Sequence, residues 1–168
     1  EQRDLRRVSL DLGFLTRAFL APDTAVASDA MPLVVPQSQG NASAGWPIAS
    51  DVLTHPRTAG TFSRILRWYV RELRIVDLAE AIRRSTLVPA DILRDIAPEM
   101  ARKGRVQVGA DADLVVFDAD TVTDRATYDS PTLTSEGIRY VFVDGTPVVI
   151  DGVLNTEARP GRPVRGRR

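Results

Sequence analysis

The hydrophobic period of this chain changes once, and that change narrows most sharply what the chain can fold into. Up to about residue 94, apolar residues recur at helical steps; from Arg105 onward they run or alternate in short stretches punctuated by Asp-Gly pairs. Helical spacing followed by strand spacing predicts an α/β portion and then a distinct small β unit. In the first portion, Leu5, Val8, Leu12, Leu15 and Phe19 make one apolar stripe, which Pro22 and Asp23 end. The run 24–28 then reads as a buried strand, being too short for the second helix of a helical hairpin. Phe62, Ile65, Leu66, Tyr69 and Leu73 predict a second helix, with Trp68 off its stripe. Asp77 with Glu80 resembles a capping box and starts a third helix, in which Leu78, Ala81, Ile82 and Ser85 continue until Pro89. A further helical turn is expected over 90–94.

In the second portion, strands are expected over 105–108, 113–118, 138–143 and 146–150. Asp144-Gly145 is a hairpin-turn signal, and Asp151-Gly152 supplies another before Val153-Leu154. Pro147 restricts the return strand to a sheet edge, or itself to that strand's start. The expected division is therefore 1–100, with a loop insertion over 31–54, then 101–158, then a basic tail over 159–168. The insertion is rich in Gly, Ser, Pro, Asn and Ala, with Asp51 its one charge, and reads as a lid over a binding site or a disordered insertion. The tail reads as a solvated terminus, with a nucleic-acid arm as the less favoured alternative.

Composition removes several function classes. Lys+Arg and Asp+Glu both number 22, so no net field favours nucleic acid or a membrane surface. No stretch approaches the roughly 20 apolar residues of a membrane span. Cysteine is absent, which excludes disulfides and thiolate metal ligands and suits a reducing, cytoplasmic setting. The chain opens Glu1-Gln2-Arg3 without a methionine, as a processed or truncated product would.

Asp29 carries the most chemistry. It ends the 24–28 run, and the C-terminal tip of a parallel barrel strand is where reactive groups collect. Taken alone, a carboxylate in that place is more often a turn or helix cap than a catalytic base. A hydrolytic zinc site also needs three or four protein ligands, and the chain has a single histidine. The reading is part of an active site on the C-terminal portion of a larger enzyme.

Several segments together resemble the D-aminoacylase branch of the amidohydrolase superfamily. They are Ser28-Asp29-Ala30, His55-Pro56-Arg57, Gly60-Thr61-Phe62-Ser63-Arg64-Ile65-Leu66, Tyr69-Val70-Arg71-Glu72, Lys103-Gly104-Arg105, the run from Gly109 to Asp118, and Val141-Phe142-Val143-Asp144-Gly145. Their order is similar to that of the C-terminal region of such enzymes over nearly the whole chain. The resemblance implies the C-terminal part of a metal-dependent (β/α)8 barrel followed by strands of a small β-sandwich. It implies zinc as cofactor and an N-acyl-D-amino acid as substrate, the reaction being hydrolysis of a C–N amide bond. Asp29 would lie at the metal and move a proton from the attacking water to the leaving nitrogen. Arg57 would hold the substrate carboxylate, where a guanidinium fork suits better than a point charge; a surface ion pair is its alternative role. His55 would line the pocket at its rim. The remaining metal ligands would lie upstream of Glu1, so the isolated chain is expected to be inactive and to associate with itself or with an N-terminal half. The stretches between Asp29 and His55 and over 95–103 are longer than the compact family pattern. The rival reading is a non-catalytic interaction module that pairs with another subunit.

Overall fold

A computed structural model describes residues 13–14, 16–34 and 45–166 of the chain. Leu5, Val8, Leu12 and Leu15 of the first apolar stripe lie outside the described residues; 16–20 are helical. Ala21 N–H closes that helix on Ala18 O at 3.2 Å, and Asp23 turns the chain with φ of 55°. Residues 24–30 form no helix and no ladder strand. They are tied to the helices by Val26 N–H donating to Arg84 O at 2.9 Å, by Thr24 Oγ1 donating to Ala18 O at 3.1 Å, and by Arg57 at Asp29. The expected strand is therefore not formed: a strand exists only beside a partner, and residues 24–30 enter no ladder among the described residues.

Helix α1 spans Arg57–Arg64 and continues without a break as a π-helix over Ile65–Glu72. Leu73 N–H reaches back to Trp68 O at 2.8 Å, the five-residue step of that form. The expected stripe is buried only in part. Tyr69 is buried while Phe62 and Leu73 are 46% and 47% exposed. Trp68, off the stripe, packs edge-on to Tyr69 at 5.7 Å and beneath the Arg64 guanidinium. Phe19, Val26 and Tyr69 form the small core here, with Ile65, Trp68, Ile75 and Val76 against it.

Helix α2, Leu78–Ser85, starts as expected, with Asp77 Oδ1 accepting Glu80 N–H at 2.8 Å. Glu80 does not complete the capping box. Its carboxylate instead takes Arg83 and Arg84, which pull its pKa down to about 2. Arg84, buried, also donates to the carbonyls of Phe19 and Ala21 and so caps the 16–20 helix. Pro89 does not end this stretch. The break falls at Thr86, and α3 runs Leu87–Leu93 with Pro89 in its first turn, where the missing N–H costs nothing. Gly104 packs on the break: at φ of 72°, any Cβ there would lie 2.5 Å from Thr86 O.

The last portion is an antiparallel meander of β1 (Leu114–Phe117), β2 (Ile138–Val143), β3 (Thr146–Ile150) and β4 (Val153–Leu154) in sequence order. Asp144 and Gly145 have φ of 49° and 78°, as do Asp151 and Gly152 at 50° and 80°. Positive φ at both central residues makes each a type I′ hairpin turn, whose twist matches that of its strands. Pro147 sits second in β3, opposite the bulge at Val141/Phe142 and beyond the reach of β4. Residues 105–108 are not a strand; Val106 and Val108 stand exposed to solvent. The described part of the tail, 159–166, has no helix or strand, is mostly exposed, and is tied by an Arg162–Asp144 ion pair.

Candidate active site

Asp29 occupies the end of the 24–28 segment with φ of 48°, a left-handed conformation that Asp tolerates better than most residues. Its carboxylate is 88% exposed and meets one cation. Arg57 Nη2 lies 3.0 Å from Asp29 Oδ2, and Arg57 Nε donates to the Asp29 carbonyl at 2.6 Å. An exposed pair of this kind adds little to stability. Its effect is positional, since one guanidinium grips both the backbone and the side chain of the same residue. Met31 is fastened close by: its N–H donates to Thr58 Oγ1 at 3.1 Å, and its carbonyl accepts from Thr54 Oγ1 at 3.3 Å. Farther along, Val34 and Leu53 exchange both backbone bonds, closing the base of the 31–54 loop. Residues 35–44, the middle of that expected lid, lie outside the described residues.

Arg57 is placed by the start of α1. Pro56 precedes it and has no N–H, so the Arg57 amide is the first donor of the helix to need an acceptor. His55 Nδ1 supplies one at 3.1 Å. With Nδ1 accepting, the proton of neutral His55 lies on Nε2, which is 3.2 Å from Tyr128 Oη. The two rings meet edge-on, with centroids 5.2 Å apart. The three residues expected from sequence are therefore brought together: Asp29 and Arg57 side by side, with His55 behind Arg57. The ion pair left open for Arg57 is formed, with Asp29 as its partner.

Sequence reading missed the residues that frame this cluster from the far side. A cavity of about 150 Å³ beside Arg57 is lined by His55, Arg64, Asp124 and Tyr128, among others. The Asp124 side chain is only 6% exposed and takes Arg67 Nε at 2.7 Å and Arg64 Nη1 at 3.4 Å. The Arg67 guanidinium is held further toward its charged form by Asp124 and by Glu72. Arg71 Nη1 donates to Ala119 O and Val122 O at 3.0 and 2.9 Å. Arginines on this one helix so fasten the loop before β2. Nothing in local spacing marks Asp124 or Tyr128, because their partners lie more than fifty residues away.

As a metal site the described residues are incomplete. Asp29 can fill one coordination position, and among the described residues no group of three or more His, Cys, Asp or Glu is placed to hold a metal.

The family model that matches is the amidohydrolase family, over residues 21–149. The chain is 45% identical over 118 residues to N-acyl-D-glutamate deacylase of Alcaligenes xylosoxydans xylosoxydans, covering 70% of this chain and 23% of that protein. To N-acyl-D-aspartate deacylase of the same organism it is 35% identical, over 91% of this chain and 26% of the relative. Among solved structures, N-acyl-D-glutamate deacylase of Bordetella bronchiseptica with zinc and a phosphonate inhibitor matches with a TM-score of 0.66 and 40% identity, covering 89% of this chain and 27% of that one. The chain thus spans about a quarter of the length of these relatives. Their fold is shared: an α/β portion from the end of a barrel, then a small β unit.

Proposed function

The chain belongs to the amidohydrolase family, and we propose that it supplies the C-terminal part of a zinc-dependent enzyme that deacylates N-acyl-D-amino acids. The observation that carries this reading is the pairing of Asp29 with Arg57 at the end of the 24–28 segment. When bound, zinc would polarise the acyl carbonyl and ionise a water near neutral pH. Asp29 would occupy one coordination position and accept the proton of the attacking water. It would then return that proton to the leaving nitrogen, which cannot depart as an amide anion. Arg57 would hold the substrate carboxylate. With Nε and Nη2 turned to Asp29, Nη1 remains for that role among the described residues. His55 would close the rim behind it. The same reading divides the chain into a barrel portion over 1–100, a β unit over 101–158 and a basic tail over 159–168.

In the full-length enzyme, Asp29→Asn should keep the fold and lower turnover by about 10²–10⁴-fold, the usual contribution of general acid–base catalysis. Near-normal turnover by that variant would end the assignment. The chain by itself should show no turnover, having one carboxylate where three or four ligands are needed.

The proposed partner is the N-terminal part of a longer chain. Among the described residues β1 is an edge strand with Val115 and Val116 about half exposed, and Val106 and Val108 are exposed as well. An apolar cavity of about 660 Å³ runs between Phe62, Leu66, Leu114 and Val141. Edges and apolar faces of this kind are normally covered. Without that cover the chain should self-associate. A monomer mass by light scattering at every concentration would refute this.

A further inference from the structure

We infer that Tyr128 is a positioning residue for this site, acting through His55 on the Arg57–Asp29 pair; the inference rests on the function proposed above. Tyr128 is 80% exposed, so packing does not account for its place. It sits in a tight turn closed from both sides, Thr127 N–H donating to Ser130 O at 3.2 Å and Ser130 N–H to Thr127 O at 3.3 Å. That turn is carried to α1 by Asp124, which the absence of a side chain at Gly60 lets come close: a Cβ there would lie 3.3 Å from Asp124 Cβ. Arg64, Arg67 and Arg71 then lock the loop from the helix side. The result is a hydroxyl held at His55 Nε2 by residues that precede β2, 73 positions after the histidine.

The chemistry of imidazole makes this contact consequential. A neutral ring carries one proton, and whichever nitrogen bears it leaves the other as acceptor. By accepting a hydrogen bond from Nε2–H, Tyr128 Oη keeps Nδ1 open for the Arg57 amide. Were the proton on Nδ1, two donors would face each other and the first turn of α1 would lose its acceptor. Arg57 would then be displaced from the helix start that aims its guanidinium at Asp29. The β unit thus sets the geometry of the proposed proton-transferring carboxylate without touching it.

The test is a double-mutant cycle in the full-length, zinc-loaded enzyme. Tyr128→Phe keeps the ring and removes the hydroxyl; it should lower kcat about five- to tenfold, as expected for loss of one hydrogen bond, with KM changed less than about twofold. His55→Asn keeps an acceptor two residues before the Arg57 amide in an Asx-turn geometry but removes the partner of Tyr128. Adding Tyr128→Phe to His55→Asn should lower kcat no further. Equal losses in both backgrounds would mean Tyr128 acts directly on substrate; no loss in either would remove it from the site. Both results overturn the inference. A readout that does not depend on turnover is the imidazole ¹⁵N–¹H spectrum, with the His55 signals assigned by their absence in His55→Asn. The Nε2-protonated tautomer is expected, shifting to a mixture in Tyr128→Phe. An Nδ1-protonated ring, or a spectrum indifferent to Tyr128→Phe, would also overturn it. If the tautomer behaves as expected but the enzyme deacylates nothing, the relay stands and the proposed reaction is what fails.

Discussion

The meander of residues 114–154 and the segment that carries Asp29 are held in opposite ways. In the meander each strand pairs with its neighbour in sequence, and β2–β3 and β3–β4 are joined by two-residue turns whose Asp and Gly adopt the positive φ the turns require. Asp29 lies on an irregular run tied by Val26 to Arg84, by its own grip from Arg57, and by Met31 to Thr54 and Thr58. Most of those partners are 20 to 60 residues distant. Local pairing makes a rigid unit from short stretches of chain. Distant, mostly exposed contacts position a reactive group but hold it only as well as the elements around them. A substitution in the meander should therefore appear in stability, and one at the site in activity.

The largest effect expected on this view is from Gly137→Ala. Gly137 precedes β2 at φ of 81°, and a Cβ would sit 2.5 Å from Val122 Cα, in a residue fully buried. The left-handed backbone and the collision together should cost about 2–4 kcal/mol, read by denaturant unfolding of the full-length enzyme. Unchanged stability would break the contrast, because the meander would then tolerate what its turns forbid. Arg57→Lys should do the reverse. A point charge cannot hold both the carbonyl and the carboxylate of Asp29 while meeting a substrate carboxylate. Loss of charge-assisted hydrogen bonds should lower kcat/KM by roughly 10- to 100-fold, with a raised KM and little change in unfolding midpoint. An unchanged KM with lowered stability would make Arg57 structural. The smallest effect is expected at Glu80, whose pKa is lowered to about 2 by Arg83 and then Arg84. A carboxyl with a depressed folded pKa stabilises fully above its unfolded value, and that contribution is lost as pH falls through the folded one. Helix α2 should therefore weaken between about pH 4.5 and 2. In Glu80→Gln the acid limb of the melting curve should flatten; a limb identical to wild type would assign acid sensitivity to other carboxylates, such as Asp113, which Lys103 also holds ionised.

How much could be read beforehand follows the same division. Asp144-Gly145 and Asp151-Gly152 announced their hairpins because turn chemistry is local. Asp77 announced the start of α2 for the same reason. Pro89 misled, because a proline is a breaker in a helix interior and harmless in a first turn; only the position of the Thr86 break distinguishes the two. The π-helix over Ile65–Glu72 was invisible; Tyr69 of the expected stripe is buried, while Phe62 and Leu73 of the same stripe are about half exposed. Residues 105–108 had strand composition but no partner among the described residues, and composition cannot supply one.

Sequence by itself determined that helices precede a small sheet, the hairpin turns, the family, and the choice of Asp29, Arg57 and His55 as the residues to watch. Tertiary structure decided what those residues do to one another: that Arg57 grips Asp29, that His55 accepts the Arg57 amide, and that Tyr128 meets His55. The reason is physical. Turns and caps are contests between a residue and its own backbone, settled within a few positions. A hydrogen bond across 28 or 73 positions depends on where whole helices and loops come to rest, and no window of sequence contains that information.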